Sequence, residues 1–165
     1  MIKYADIIGE SMVDGTGIRV TVFLQGCPGT CEGCHNPTLQ NFLGGKEIQE
    51  SDFAHMILKK VTPLHTGVTF SGGEPLVQQE GLFNVLTTLK ANCPGLDIWV
   101  YTGYTFEEVK HMPLMKYVDV LVDGPFVLKK KDLSLHFRGS SNQRIIDVPQ
   151  SLKKGEAVEI ELLTV

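Results

Sequence analysis

The sequence has no apolar run long enough to cross a bilayer, which removes a membrane-spanning role. Its first ten residues, MIKYADIIGE, interrupt their apolar positions with Lys3, Asp6 and Glu10 and so lack the apolar core of a signal peptide. Positive charge is not in excess: 15 Lys and Arg against 19 Asp and Glu give a net charge of −4. That balance argues against a protein built to bind nucleic-acid phosphates, and the run Lys129-Lys130-Lys131 is too short to change it. Length is limited too, because 165 residues fall short of the roughly 200 that a complete eight-stranded α/β barrel requires. They suffice to bury a core without disulfides. With 42% hydrophobic and 21% charged residues, the composition is globular rather than disordered. The expectation is one domain over residues 1–165, in a reducing cytoplasm, with neither nucleic acid nor membrane as partner.

Cysteine is also scarce, four residues in all, but unevenly spread. Cys27, Cys31 and Cys34 fall within eight residues, whereas Cys93 stands alone between Asn92 and Pro94. In a reducing compartment such clustering points to metal binding or redox work rather than to bridges.

Around the cluster, strands alternate with helices. Ile18–Leu24 (IRVTVFL) is β-branched and apolar apart from Arg19, as a buried strand would be. A long loop rich in Gly, Pro and Asn carries the cysteines over 25–45. Ser51 is expected to cap a helix whose apolar face uses Phe53, Ala54, Ile57, Leu58 and Val61. A strand at 67–70 then runs into Ser71-Gly72-Gly73-Glu74-Pro75, and Leu82, Val85, Leu86 and Leu89 have helical spacing up to Asn92. Further strands are expected at 97–102, 118–122, 145–148 and 158–162, with capping-box spacing at Thr105 and Glu108. This alternation predicts a mostly parallel α/β sheet.

The loop Cys27-Pro28-Gly29-Thr30-Cys31-Glu32-Gly33-Cys34 has C-x3-C-x2-C spacing. Three thiolates on one short loop can hold three irons of a cubic cluster and leave the fourth open to another molecule. A structural zinc site, with Cys93 or His35 as fourth ligand, is the competing reading. Glycines 72 and 73 at a strand end let backbone approach a ligand, and Glu74 adds a carboxylate able to hold an ammonium group. A plain turn before a helix is the simpler meaning of Gly-Gly.

A three-cysteine loop after one strand and GGEP after the next together resemble the radical S-adenosylmethionine superfamily. More narrowly, the chain is similar to the activating proteins of anaerobic (class III) ribonucleoside-triphosphate reductases. The likeness runs through DGTGIR at 14–19, the cysteine loop to CHNP at 34–37, SGGEP at 71–75, WVYTGY at 99–104, VLVDG at 120–124 and FRGSSNQ at 137–143. It implies a single-domain, incomplete (open) α/β barrel and a [4Fe-4S] cluster ligated by Cys27, Cys31 and Cys34. It implies that Gly33 and His35 contact the cofactor, and that Gly72, Gly73 and Glu74 bind the methionine amino end of S-adenosylmethionine. By the same resemblance, the activity is reductive cleavage of that cofactor to a 5′-deoxyadenosyl radical, which removes a hydrogen from a glycine of the reductase. Reduced flavodoxin or a similar donor supplies the electron. Thr102, Tyr104 and Asp123 stand at strand ends where a ribose or a partner loop is within reach, and Arg138, Ser140, Asn142 and Arg144 are candidates for docking the reductase or closing over the cofactor. An activase for pyruvate formate-lyase, a radical enzyme with a small-molecule substrate and a zinc-stabilised binding module are the alternatives. Position 33 carries Gly where many superfamily members have an aromatic residue, and no later glycine-rich adenine motif is evident.

Overall fold

The structure, a computed structural model, describes residues 1–29 and 31–162. In chain order the regular elements are β1 (Ile2–Ser11), β2 (Ile18–Leu24), β3 (Lys46–Ile48), α1 (Glu50–Leu58), β4 (His65–Gly72), α2 (Gln79–Asn92), β5 (Asp97–Tyr101), α3 (Phe106–Val109), β6 (Val120–Asp123), β7 (Arg144–Asp147) and α4 (Val148–Lys154). Among the described residues the strands form one seven-stranded sheet in the order β3-β1-β2-β4-β5-β6-β7. The four central strands β2, β4, β5 and β6 are parallel, and antiparallel strands close both sides. Among the described residues no helix is long and apolar enough to cross a membrane.

Alternation along the strands decides which face each side chain takes. Val20, Val22 and Leu24 of β2, Val68 and Phe70 of β4, Ile98 and Val100 of β5, and Leu121 of β6 join one core with the apolar faces of all four helices. Phe53, Ala54 and Ile57 come from α1, and Leu82, Val85, Leu86 and Leu89 from α2. Each such side chain, fully withdrawn from water, contributes roughly 1.5–3 kcal/mol before the entropy of ordering it is counted. The connections between successive parallel strands carry α1, α2 and α3 over this one face, as right-handed crossovers do, and α4, after the antiparallel β7, joins them through Val148. The other face is left for loops and polar groups.

On that second face Arg19 is fully buried. Its guanidinium donates to Thr69 Oγ1 at 2.7 Å, Asp97 Oδ2 at 2.9 Å, and the carbonyls of Thr16, Val68 and Asp97 at 3.1, 3.2 and 2.9 Å. It also lies over the Trp99 ring, 5.3 Å from the centroid. Trp99 gathers Val120, Val122 and Ile145 into a smaller core. Phe137 meets the Trp99 ring edge-on at 5.5 Å.

Several sequence expectations need correction. Ser51 does not cap α1; it is the second helical residue, and the N-cap is Gln49 with no side-chain bond. Residues 158–162 make no strand: only Glu159 bridges to Ile146, as that segment leaves the edge of β7 after Ile160 N–H bonds the Ile145 carbonyl. The strand expected at 118–122 starts at Val120, because Val118 N–H still closes the preceding 3-10 turn on Met115. β1 and β3, the outer antiparallel pair, were not expected. Thr105 and Glu108 do form a capping box, with Thr105 N–H bonded to Glu108 Oε2 at 2.8 Å.

Candidate functional site

The site is assembled where the carboxyl ends of β2 and β4 meet, the position at which parallel α/β sheets bind ligands. The last pair in register is Leu24 with Gly72, and the two chains stay joined beyond it. Gly73 N–H bonds the Leu24 carbonyl at 2.9 Å, and Glu74 N–H bonds the Gly26 carbonyl at 2.8 Å. Gly72 has φ +106°, and a Cβ there would strike the Leu24 backbone. A Cβ on Gly73 would collide with the Gly26 carbonyl. These two glycines therefore serve close strand approach, which brings Glu74 beside the start of the cysteine loop.

The loop begins with Gly26 and Cys27, whose N–H groups bond the Leu39 and Gln40 carbonyls at 2.7 and 3.2 Å. Cys27, Cys31 and Cys34 are all free thiols and half-buried. Gly29 sits between two of them: a Cβ on it would lie 3.4 Å from Cys27 Sγ and 3.9 Å from Cys31 Sγ. Its N–H donates to Cys27 Sγ at 3.3 Å, which favours the thiolate. Burial pushes the Cys27 thiol up, and Glu74 and the other two cysteines push it further; the Gly29 N–H acts the other way. A raised thiol stays protonated until a metal binds, and metal coordination deprotonates a thiol outright. Among the described residues no three His, Cys, Asp or Glu side chains are gathered around one point, so the thiols are not drawn together in this structure; three free thiols on one short, glycine-bearing loop are nonetheless the donor set that an iron–sulfur cluster takes. Cys93, at the C-terminal end of α2, packs against the helix-side core and takes no part.

Glu74 is buried, with its side chain turned across to the end of β5. Oε1 accepts from Thr102 Oγ1 at 2.7 Å and Leu76 N–H at 3.1 Å, and Oε2 accepts from Gly103 N–H at 2.7 Å. Burial raises its pKa, and those three bonds oppose the rise. Of the roughly four acceptor positions a carboxylate offers, one on Oε2 remains among the described residues. Tyr104 lies nearby: burial first, then the charges of Glu74 and Cys27, push its phenol upward. Replacement by glutamine keeps the shape but turns an amide N–H2 toward the Gly103 N–H. The Glu74→Gln protein is expected to lose about 1–3 kcal/mol of stability, measured by urea unfolding of the metal-free protein.

Thr102 and Asp123 are not open to a ligand. Thr102 serves Glu74, and Asp123, 1% exposed, accepts from Phe106 N–H at 2.7 Å and Arg144 Nη2 at 2.6 Å. Arg144 extends this to Glu107 Oε2 at 2.7 Å, so it braces α3 against β6 and β7 instead of facing a partner. Arg138 Nη1 turns inward to the Gln143 carbonyl at 3.1 Å. Gly33, with φ +75°, and His35 flank Cys34, and both rest on the segment after β6. Sequence reasoning did not assign Phe126 or Leu128 of that segment to the site. The unhindered glycine at 33 is the local signal that another part of the chain fills the space.

The fold and the cysteine loop define a class, the iron–sulfur proteins with one cluster: the family model described as "4Fe-4S single cluster domain" matches residues 13–146. Curated relatives carry one name, "Anaerobic ribonucleoside-triphosphate reductase-activating protein". That of Enterobacteria phage T4 is 36% identical over 145 residues, covering 87% of this chain and 92% of the relative. That of Escherichia coli K12 is 38% identical over 147 residues, 86% and 96% of the two chains. The Haemophilus influenzae protein is 35% identical over 150 residues, 87% and 96%. The chain belongs to the family of anaerobic ribonucleoside-triphosphate reductase-activating proteins and carries its 4Fe-4S domain.

Proposed function

We propose that this chain is a radical S-adenosylmethionine activase, one domain over 1–165 whose curved sheet forms an open barrel, working in the cytoplasm on an anaerobic ribonucleoside-triphosphate reductase. Cys27, Cys31 and Cys34 would hold a [4Fe-4S] cluster. With S-adenosylmethionine bound and an electron donor such as flavodoxin, that group would supply the electron for reductive cleavage of the cofactor and thereby for removal of a hydrogen from a glycine of the reductase. The single observation that carries this reading is the backbone junction between Leu24–Gly26 and Gly73–Glu74, which joins a three-thiol loop to a buried carboxylate.

The chain's own residues bind and orient. Gly29 N–H stabilises the Cys27 thiolate, and the free acceptor position on Glu74 Oε2 suits the ammonium of the methionine moiety. Thr102 and Gly103 hold that carboxylate in place. Gly72 and Gly73 leave backbone close to the bound amino acid, while Gly33 and His35 flank the open side of the loop.

The test is electron paramagnetic resonance of the reductase mixed anaerobically with the reconstituted protein, S-adenosylmethionine and a reductant. An organic radical on the reductase, lost when its acceptor glycine is replaced by alanine, is the expected result. Cofactor cleavage with no radical on the reductase would move the activity to another substrate, and a zinc-loaded protein without cleavage would return it to a binding module.

A further inference from the structure

One contact to the cysteine loop comes from far along the chain. After β6 the chain turns back across the loop at 124–128. The His35 ring lies against the Phe126 ring, with centroids 5.1 Å apart and planes tilted by 50°. A Cβ on Gly33 would sit 2.9 Å from Leu128 Cδ1 and 3.4 Å from Phe126 Cε1. Both neighbours of Cys34 thus lean on one apolar wall. The loop does little to fix itself there: among the described residues, its backbone bonding within 31–35 is a single Cys34 N–H to the Cys31 carbonyl at 3.2 Å.

The wall is braced from behind by FRGSSNQ. Asn142 Nδ2 donates to the Pro125 carbonyl at 2.7 Å, Gln143 Nε2 to the Gly124 carbonyl at 3.1 Å, and Val127 N–H to Ser140 Oγ at 3.2 Å. Gln143 Oε1 in turn accepts from the N–H groups of Gly139 and Ser140, at 2.9 and 3.2 Å, which sets the loop's own shape. A Cβ on Gly139 would touch the Phe126 ring at 3.0 Å, so the ring is backed by main chain. Ser140 is fully buried, yet Phe126 is only half-buried. Phe126 is thus held in place although part of its ring stays open to solvent.

We infer that Phe126, held by Asn142, Gln143 and Ser140, is a positioning residue for Cys34. It fixes the third thiol from outside, whereas Cys27 is fixed within its own loop by Gln40 and Gly29. The inference rests on Cys34 being a cluster ligand. Changing an outer group that orients a ligand typically costs about 10–100-fold in metal affinity or activity.

Two readouts test it on the whole chain. In the metal-free protein, alkylation of each cysteine by iodoacetamide is followed by peptide mass spectrometry, with Cys93 as internal reference. In the reconstituted protein, iron loss to a chelator is timed. Phe126→Ala is expected to speed iron loss about tenfold, with Phe126→Tyr within about twofold of wild type. It is also expected to quicken alkylation at Cys34 while leaving Cys27 and Cys93 unchanged. Asn142→Ala, which removes the bond to the Pro125 carbonyl next to Phe126, should shift both in the same direction by less. Equal rates in Phe126→Ala and wild type would overturn the inference. So would a parallel rise at Cys27 and Cys34 with a lowered melting temperature, since that is general loosening. A wild-type protein that holds no iron would overturn the ligand assignment and this role with it; wild-type iron with an unaffected Phe126→Ala protein overturns this role alone.

Discussion

Replacing Cys31 by alanine is expected to remove both the cluster and cofactor cleavage. The loop offers three thiols, and with two left a cubic cluster keeps too few protein ligands to survive an anaerobic desalting step. Losing an outer group typically costs 10–100-fold in affinity or activity, so loss of a direct ligand should lower cleavage by at least about 100-fold. Cys27→Ala and Cys34→Ala should behave alike. Cys93→Ala is the control, because that thiol lies against the helix-side core and should leave iron content and cleavage unchanged. Iron and sulfide analysis with a 5′-deoxyadenosine assay checks all four proteins. Full activity in Cys31→Ala, or loss of iron in Cys93→Ala, would contradict the ligand assignment.

A second large effect is expected from Arg19→Ala, and it concerns stability. Five hydrogen bonds reach this side chain on the loop-covered face, joining β2 to Thr69 of β4, to Asp97 of β5 and to the Thr16 turn. Burial disfavours its charge, and Asp97 opposes that effect by ion pairing. Truncating one partner of a buried pair usually costs 3–5 kcal/mol, and the partly exposed Asp97 side chain points to the lower end, about 3 kcal/mol. Arg19→Lys should recover little, since a single ammonium cannot match a planar fork. Urea unfolding of the metal-free proteins measures both. A loss below about 1 kcal/mol would mean that the network is replaceable by water.

Much of the fold was legible because its strands and helices are regular. Ile18–Leu24 reads as a strand from its β-branched run, and Leu82, Val85, Leu86 and Leu89 mark the buried face of α2. Other parts escaped for physical reasons. β1 carries Lys3, Asp6 and Glu10 because much of it faces solvent, so it shows no buried run despite its ten residues. Its pairing with β2 comes from main-chain bonds that any sequence can make. β3 is three residues long and has no pattern to read. Residues 158–162 have the composition of a strand, but their segment bridges β7 at one position only.

The site divides the same way. The cysteine spacing and GGEP are local and stood out at once. What the glycines do was hidden: Gly72 and Gly73 are needed for contact with Leu24–Gly26, nearly fifty residues earlier in the chain. Arg19 was visible as the one charge in an apolar strand, but Thr69 and Asp97 lie 50 and 78 residues away. Asp123 and Arg144 looked available to a ligand and instead neutralise each other, because the ends of β6 and β7 are adjacent. Asn142, read as a candidate for docking the reductase, instead turns inward with its neighbour Gln143 to the chain beneath Phe126.

The most direct measurement is 5′-deoxyadenosine formation from S-adenosylmethionine by the purified protein, reconstituted anaerobically with iron and sulfide and then reduced. Iron and zinc are measured on the same sample. The expected result is a brown, iron-loaded protein that releases 5′-deoxyadenosine only when reduced. A colourless protein holding one zinc per chain and releasing none, from a preparation kept free of oxygen, would contradict the assignment of this loop to radical chemistry.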